Sequence, residues 1–239
     1  MDNRKPQIIA LGGGGFSMEP ENPSLDLYVL DLARKSNPAV SFLGTASGDA
    51  DSYLVKFYSA FTKHDCRLSN LPLFTRTPGL RDHVFRQDII YVGGGNTKSM
   101  LAVWRDWNLH NILREAWEEG IILAGISAGA ICWFAQGVTD AYEGKLTVLD
   151  CLGFLEGSCC PHYDADPDRR RAYHDLLLNG EISSGYGIDD GAALHFVGSE
   201  LHEVVSSRPG AHAYKVQVDQ HVVNEEELVV ELLPSVDTG

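Results

Sequence analysis

The chain has 239 residues, enough to bury a substantial core and still compatible with one domain. Hydrophobic residues make up 44% and charged residues 22%, a globular balance that excludes a disordered chain. The formal net charge of -14 argues against nucleic acid or an anionic membrane as partner, because both require a basic face.

In chain order, the first element is a short apolar run from Gln7 to Leu11 that stops at Gly12, Gly13, Gly14 and Gly15. It is too short for a secretory leader, and no stretch approaches the roughly 20 apolar residues of a membrane span. Similar glycine-bounded runs recur at residues 39–44, 89–93 and 121–126. Short, uniformly apolar runs of this kind read as strands buried on both faces of a parallel sheet.

Helical periodicity fills the gaps. Leu25, Leu27, Tyr28, Leu30, Leu32 and Ala33 form one stripe, with Pro23 and Ser24 near its start. Tyr53, Leu54, Phe57, Tyr58 and Phe61 form a second. Met100, Leu101 and Trp104, then Leu109, Ile112, Leu113, Ala116 and Trp117, form a third that breaks near Asp106. The alternation predicts a βαβ-built α/β fold with a helix-covered, mostly parallel sheet. Shorter alternating segments at residues 192–197, 201–205, 213–218 and 228–232 read as mixed or antiparallel strands at the edge of that sheet. No repeat, low-complexity tract or linker interrupts the chain, so a single domain over residues 1–239 is expected. Cys66, Cys132, Cys151, Cys159 and Cys160 are odd in number and lack CxxC spacing. A reduced, cytoplasmic protein with no cysteine metal site is the expectation. The adjacent Cys159 and Cys160 are read as small apolar packing residues.

The segment Gly125-Ile126-Ser127-Ala128-Gly129 follows a buried strand and leads at once into a helical stretch. A serine on so sharp a strand-to-helix turn projects its hydroxyl from the carboxyl end of the sheet, with the helix N-terminus beside it. A bland alternative is a small-residue turn with a capping serine. Gly93-Gly94-Gly95-Asn96-Thr97 also follows a buried strand. If its strand neighbours that of Ile122, the N–H groups of Gly94 and Ala128 form an oxyanion hole. Neither glycine cluster has the layout of a phosphate-binding loop, so no nucleotide cofactor is expected.

These pieces resemble the peptidase E family of serine peptidases (aspartyl dipeptidases), which includes cyanophycinase-like proteins. The matching residues are Ile8–Gly14, Val92–Thr97, Gly125–Ala130, Thr139-Asp140, Pro161-His162-Tyr163 and Tyr186–Leu194, collinear through most of the chain. The resemblance implies a fold akin to class I glutamine amidotransferases, with serine in place of their cysteine. It aligns Ser127 with the nucleophile, His162 with the general base, Asp140 with the acid, and Gly94 and Ala128 with the hole. Asp189 and Asp190, after the strand ending at Ile188, compete with Asp140 for the acid's place.

The implied reaction is metal-independent hydrolysis of short Asp-X peptides through an acyl-enzyme on Ser127, with no cofactor. A bidentate arginine suits the substrate carboxylate. Arg169, Arg170 and Arg171 lie where the family places such a residue, and Asn96 joins the substrate-binding candidates. A basic patch serving solubility is the alternative for the arginines. Two rival readings remain at this stage. One is an α/β-hydrolase esterase using Ser127 and His212 with Asp189 or Asp190. The other is a non-catalytic small-ligand-binding protein of the same fold. A C2 homodimer is the expectation from base rates alone.

Overall fold

The structure, a computed structural model, describes residues 5–165 and 167–235. Residues 1–4, 166 and 236–239 of the expected domain lie outside the described residues. The strands are β1 (Gln7–Leu11), β2 (Ala39–Leu43), β3 (Arg67–Asn70), β4 (Ile89–Val92), β5 (Ile122–Ile126), β6 (Phe134–Thr139) and β7 (Thr147–Asp150). They continue with β8 (Leu155–Pro161), β9 (Gly185–Ile188), β10 (Ala192–Val197), β11 (Glu200–Ser206), β12 (Ala213–Asp219), β13 (Val222–Glu227) and β14 (Glu231–Leu232). The α-helices are α1 (Gly15–Met18), α2 (Ser24–Asp31), α3 (Asp51–Phe61), α4 (Leu80–Val84), α5 (Thr97–Asp106), α6 (Leu109–Glu118), α7 (Ala128–Ile131) and α8 (Pro167–Leu178).

The main sheet runs β14-β11-β10-β1-β5-β4-β2-β3. Its centre, from β1 through β3, is parallel, while β10 and β11 add on antiparallel beside β1. The α/β class with a parallel centre and antiparallel edge therefore holds. Successive side chains explain why these strands are uniformly apolar. Ile8, Ala10, Ile90, Val92 and Leu123 face a core filled by Trp104 of α5 and Leu113 of α6. Ile9, Leu11, Tyr91, Ala124 and Ile126 face the other, filled by Leu25 and Val29 of α2 and by Phe57 and Phe61 of α3. Each Val, Leu, Ile or Phe among them, fully removed from water, contributes about 1.5–3 kcal/mol. The break near Asp106 is real: Asn108 takes a left-handed turn, φ 55°, between α5 and α6.

The segment at 213–218 does not sit at the edge of this sheet. It becomes β12 of a second sheet, ordered β13-β12-β9-β8-β6-β7. Its inward residue Val216 packs with Val138, Cys160, Tyr163, Tyr173 and Leu177 in a smaller core under α8. The run at 228–232 shrinks to the two-residue β14, and Val229 is 94% exposed.

Two topological facts place the site. β5 lies between β1 and β4, so Gly12, Gly93 and Ser127 leave neighbouring strands at one sheet edge. β8 and β9 are parallel neighbours in the second sheet, and the chain crosses from β9 directly to β10 in the main sheet. The residues after β8 and β9 are thus delivered toward that edge, where Gly13 and Asp190 form a bridge.

Candidate active site

Ser127 follows β5 with φ 57° and ψ -112°, a backbone state that residues with a Cβ seldom adopt. Such strain costs roughly 1–3 kcal/mol and persists only where the surroundings over-determine it. They do here. The Ser127 N–H donates to Leu11 O at 3.0 Å, and its carbonyl accepts from the N–H groups of Ala130 and Ile131, both at 2.9 Å. The flanking glycines are required by contact: a Cβ on Gly125 would stand 2.2 Å from Gly129 O, and one on Gly129 2.3 Å from Val92 O.

His162 emerges from the end of β8, also at positive φ (54°), its N–H donating to Gly12 O at 3.3 Å. Its Nε2 lies 2.8 Å from Ser127 Oγ and its Nδ1 2.5 Å from Asp190 Oδ1. With Asp190 ionised, the ring proton belongs on Nδ1, which leaves Nε2 to accept the serine O–H. Gly13 makes room for the pair, since a Cβ there would fall 1.9 Å from Asp190 Oδ1 and 3.0 Å from His162 Nδ1. The main chain of Asp190 is held on both sides. Its N–H donates to Asp164 Oδ1 at 2.8 Å, and its carbonyl accepts from Arg208 Nη2 at 2.7 Å. Arg208 also pairs with Asp164 (3.4 Å) and Glu19 (3.3 Å), joining three distant segments around the acid.

Asp140 is not at the histidine. Its side chain is 71% exposed and accepts from Arg169 Nη2 at 3.1 Å. The cause is topological: β6 ends in a surface turn beside α8, whereas the crossing from β9 to β10 carries Asp190 to Gly13. Asp189 faces the other way, buried and accepting from the His212 N–H at 3.0 Å; burial pushes its carboxyl up to about 6. His212 itself pairs with Glu227 at 3.1 Å, and the imidazole at the serine is that of His162.

Gly94 lies against Ser127: a Cβ there would be 3.3 Å from Ser127 Cβ and 3.7 Å from Oγ. Its N–H donates to the Tyr53 hydroxyl at 3.1 Å. Ala128, the first residue of α7, directly follows the serine and is buried. The outer glycines of the cluster are required by close contacts. A Cβ on Gly93 would meet the Phe42 ring at 2.7 Å, and one on Gly95 would meet Ala46 O at 2.3 Å. Asn96 caps α5, accepting from Ser99 N at 2.8 Å, and its amide donates to Ala141 O at 3.3 Å. It anchors the turn that carries Asp140.

The three arginines have different situations. Arg170 is bound to Glu225 through two nitrogens and lies over the rings of Tyr163 (5.2 Å) and Tyr214 (4.8 Å). Arg169 is largely covered, its side chain 12% exposed, and pairs with the solvent-facing Asp140. Arg171 is exposed. Cys159 and Cys160 are fully buried and free, and burial pushes the Cys160 thiol up to about 12. Among the described residues, no three His, Cys, Asp or Glu side chains group as a metal site would need, and no helix is long and apolar enough to cross a membrane.

The sequence carries no functional signal for Glu19, Asp164 or Arg208, and Tyr53 stands in it only as part of an apolar helix stripe. The one available signal was the glycine at position 13, whose missing side chain marks the place where the acid enters.

A family model described as peptidase family S51 matches residues 8–204. The chain is 54% identical over 228 residues to "Uncharacterized peptidase YgaJ" of Bacillus subtilis (strain 168), covering 95% of this chain and 99% of that one. It is 28% identical over 140 residues to "Peptidase E" of Haemophilus influenzae (strain PittGG), covering 54% and 58% of the two chains. Among solved structures, a peptidase from an acI-B1 Actinobacterium superposes with a TM-score of 0.73 at 20% identity, covering 98% of each chain, which shows a shared fold.

Proposed function

This chain belongs to peptidase family S51, and from that premise we propose that it is a serine peptidase cleaving short peptides, chiefly dipeptides with an N-terminal aspartate. The observation that carries the reading is the unbroken hydrogen-bonded line from Ser127 through His162 to Asp190.

A serine hydroxyl is a poor nucleophile at neutral pH unless a base takes its proton during attack. His162 Nε2 is at the right distance to do so and later to return that proton to the departing amine. Asp190 holds the ring in the tautomer that leaves Nε2 free and offsets the positive charge the ring acquires. The serine oxygen bonds to the peptide carbonyl carbon, and the carbonyl oxygen takes the negative charge. The N–H groups of Gly94 and Ala128, beside the serine, are the donors proposed for it. Collapse expels the amine and leaves an acyl group on Ser127. A water molecule, deprotonated by His162, repeats the sequence and frees the acid product.

The aspartate preference rests on Arg169. Its partner Asp140 is largely in water, where such a pair is worth little, so a substrate carboxylate replaces it cheaply. Exchange at Arg170 would break a two-nitrogen pair with Glu225 and two ring contacts. Arg169 is therefore the arginine assigned to the substrate.

The test is hydrolysis of Asp-X, Ala-X and short-chain ester substrates by wild type, Ser127→Ala, His162→Ala and His212→Ala, with EDTA present. The expected result is Asp-X turnover that survives EDTA and the His212 change but drops at least about 10⁴-fold in the other two variants. Ester turnover that depends on His212 would overturn the reading, as would Asp-X turnover that survives loss of Ser127.

A further inference from the structure

The proposed oxyanion hole is already occupied by a side chain that no part of the mechanism above uses. Tyr53, in the first turn of α3, places its hydroxyl oxygen 3.1 Å from the Gly94 N–H and accepts its hydrogen bond. The ring is fixed by Phe16 and Phe42, with centroids 5.6 and 5.2 Å away. Gly93 has no side chain to obstruct it; a Cβ there would lie 2.9 Å from the Tyr53 ring. The Ser17 side chain also lies beside this hydroxyl. The phenol is thus aimed at the hole by packing on three elements.

An N–H has one direction in which it donates well. An oxygen arriving to accept from Gly94 must enter the cone that already contains the Tyr53 oxygen. Two oxygens that share this cone stand at hydrogen-bond distance from each other. That arrangement is repulsive unless one of them donates a proton, and the developing oxyanion has none to give. Tyr53 does: burial raises its pKa above the ordinary tyrosine value, so the phenol stays protonated across the working range.

We propose that Tyr53 is a third donor of the oxyanion hole, filling the site in the free protein and turning its O–H onto the carbonyl oxygen as charge develops there. This rests on the serine-peptidase reading and adds a catalytic residue to it. In the resting state the phenol oxygen satisfies the half-buried Gly94 N–H. As the oxyanion arrives, the phenol oxygen moves aside from the Gly94 N–H and turns its own hydrogen onto the new oxygen, so that both donors converge on one acceptor.

The test is Tyr53→Phe, which keeps the ring and its contacts and removes only the hydroxyl. A fluorophosphonate probe that labels wild type but not Ser127→Ala first establishes the nucleophile. If wild type is not labelled, the serine reading fails and Tyr53 falls with it. Given labelling, Tyr53→Phe is expected to lose about 10²-fold in kcat on Asp-X substrates with KM nearly unchanged. Affinity for a peptide boronic acid, which forms a tetrahedral adduct on serine, should weaken by a similar factor. Ser17→Ala, which loosens the phenol without removing it, should lose only severalfold. An unchanged melting temperature separates these effects from misfolding. Wild-type or faster turnover by Tyr53→Phe, or unchanged boronic acid affinity, would show that the hydroxyl is only a placeholder and would overturn the proposal.

Discussion

Ser127 and Gly94 come from the ends of adjacent parallel strands of the main sheet, whereas His162 and Asp190 come from a second sheet and from the crossing that leaves it. The nucleophile side is local: one turn, its flanking glycines and a neighbouring loop determine it. The base side depends on segments far apart in the chain, with Gly13, Asp164 and Arg208 all converging on Asp190. A strained turn between a buried strand and a helix holds its residue by steric necessity. A histidine and a carboxylate on connecting loops hold their places only because the two sheets meet there.

The largest test of that contrast is to exchange acids. Asp190→Asn should lower kcat by about 10³–10⁴-fold, because the amide no longer enforces the tautomer that leaves Nε2 free. Asp140→Asn should leave kcat within a few-fold and lower KM for Asp-X substrates modestly, since it removes the carboxylate that competes with substrate for Arg169 and does not touch the histidine. Steady-state kinetics on both variants decides the point, and a collapse of kcat in Asp140→Asn would break the division of the site drawn here.

A smaller effect is expected where the halves touch. Gly13→Ala would drive a methyl into Asp190 Oδ1 and force the acid and histidine to shift. Displacement of about 1 Å can cost roughly 10²-fold in rate. The expected outcome is a loss of that size in kcat with fluorophosphonate labelling of Ser127 slowed in parallel.

The smallest effect is thermodynamic. Asp26 is buried behind Tyr91 and beside Gly15 on the nucleophile side, and burial pushes its carboxyl up to about 7. Its folded pKa exceeds the ordinary value, so the folded state holds a proton the unfolded state has released. The associated stability is complete below about pH 4 and is lost as pH rises through 7. Asp189, on the base side and raised to about 6, acts with the same sign over a narrower range. Melting temperatures should therefore decline from pH 5 to pH 8, and Asp26→Asn should flatten that decline more than Asp189→Asn does.

The same contrast explains what the sequence disclosed. The parallel centre was readable because strands buried on both faces are uniformly apolar and stop at glycines. The turn at Ser127 was readable because strand, small residues and helix follow one another without interruption. The acid was not: Asp140, Asp189 and Asp190 are equivalent as letters. Only the register of β8 against β9 and the bridge to Gly13 bring the last of them to His162. The second sheet was hidden for a related reason, since alternation in β12 shows that one face is buried but not against which sheet. Tyr53 stands in the sequence as part of a helix stripe, which discloses the burial of its ring but not the Gly94 N–H that its hydroxyl accepts.

The positive φ of Ser127 bears finally on which amino acids evolution could try at this position. Threonine carries the same hydroxyl and is the nearest chemical substitute. A β-branched side chain at that dihedral is a severe outlier, however, so the backbone closes the route. Cysteine has an unbranched Cβ like serine's and meets no such barrier. The turn therefore admits a change of nucleophilic atom, oxygen to sulfur, more readily than the addition of one methyl group.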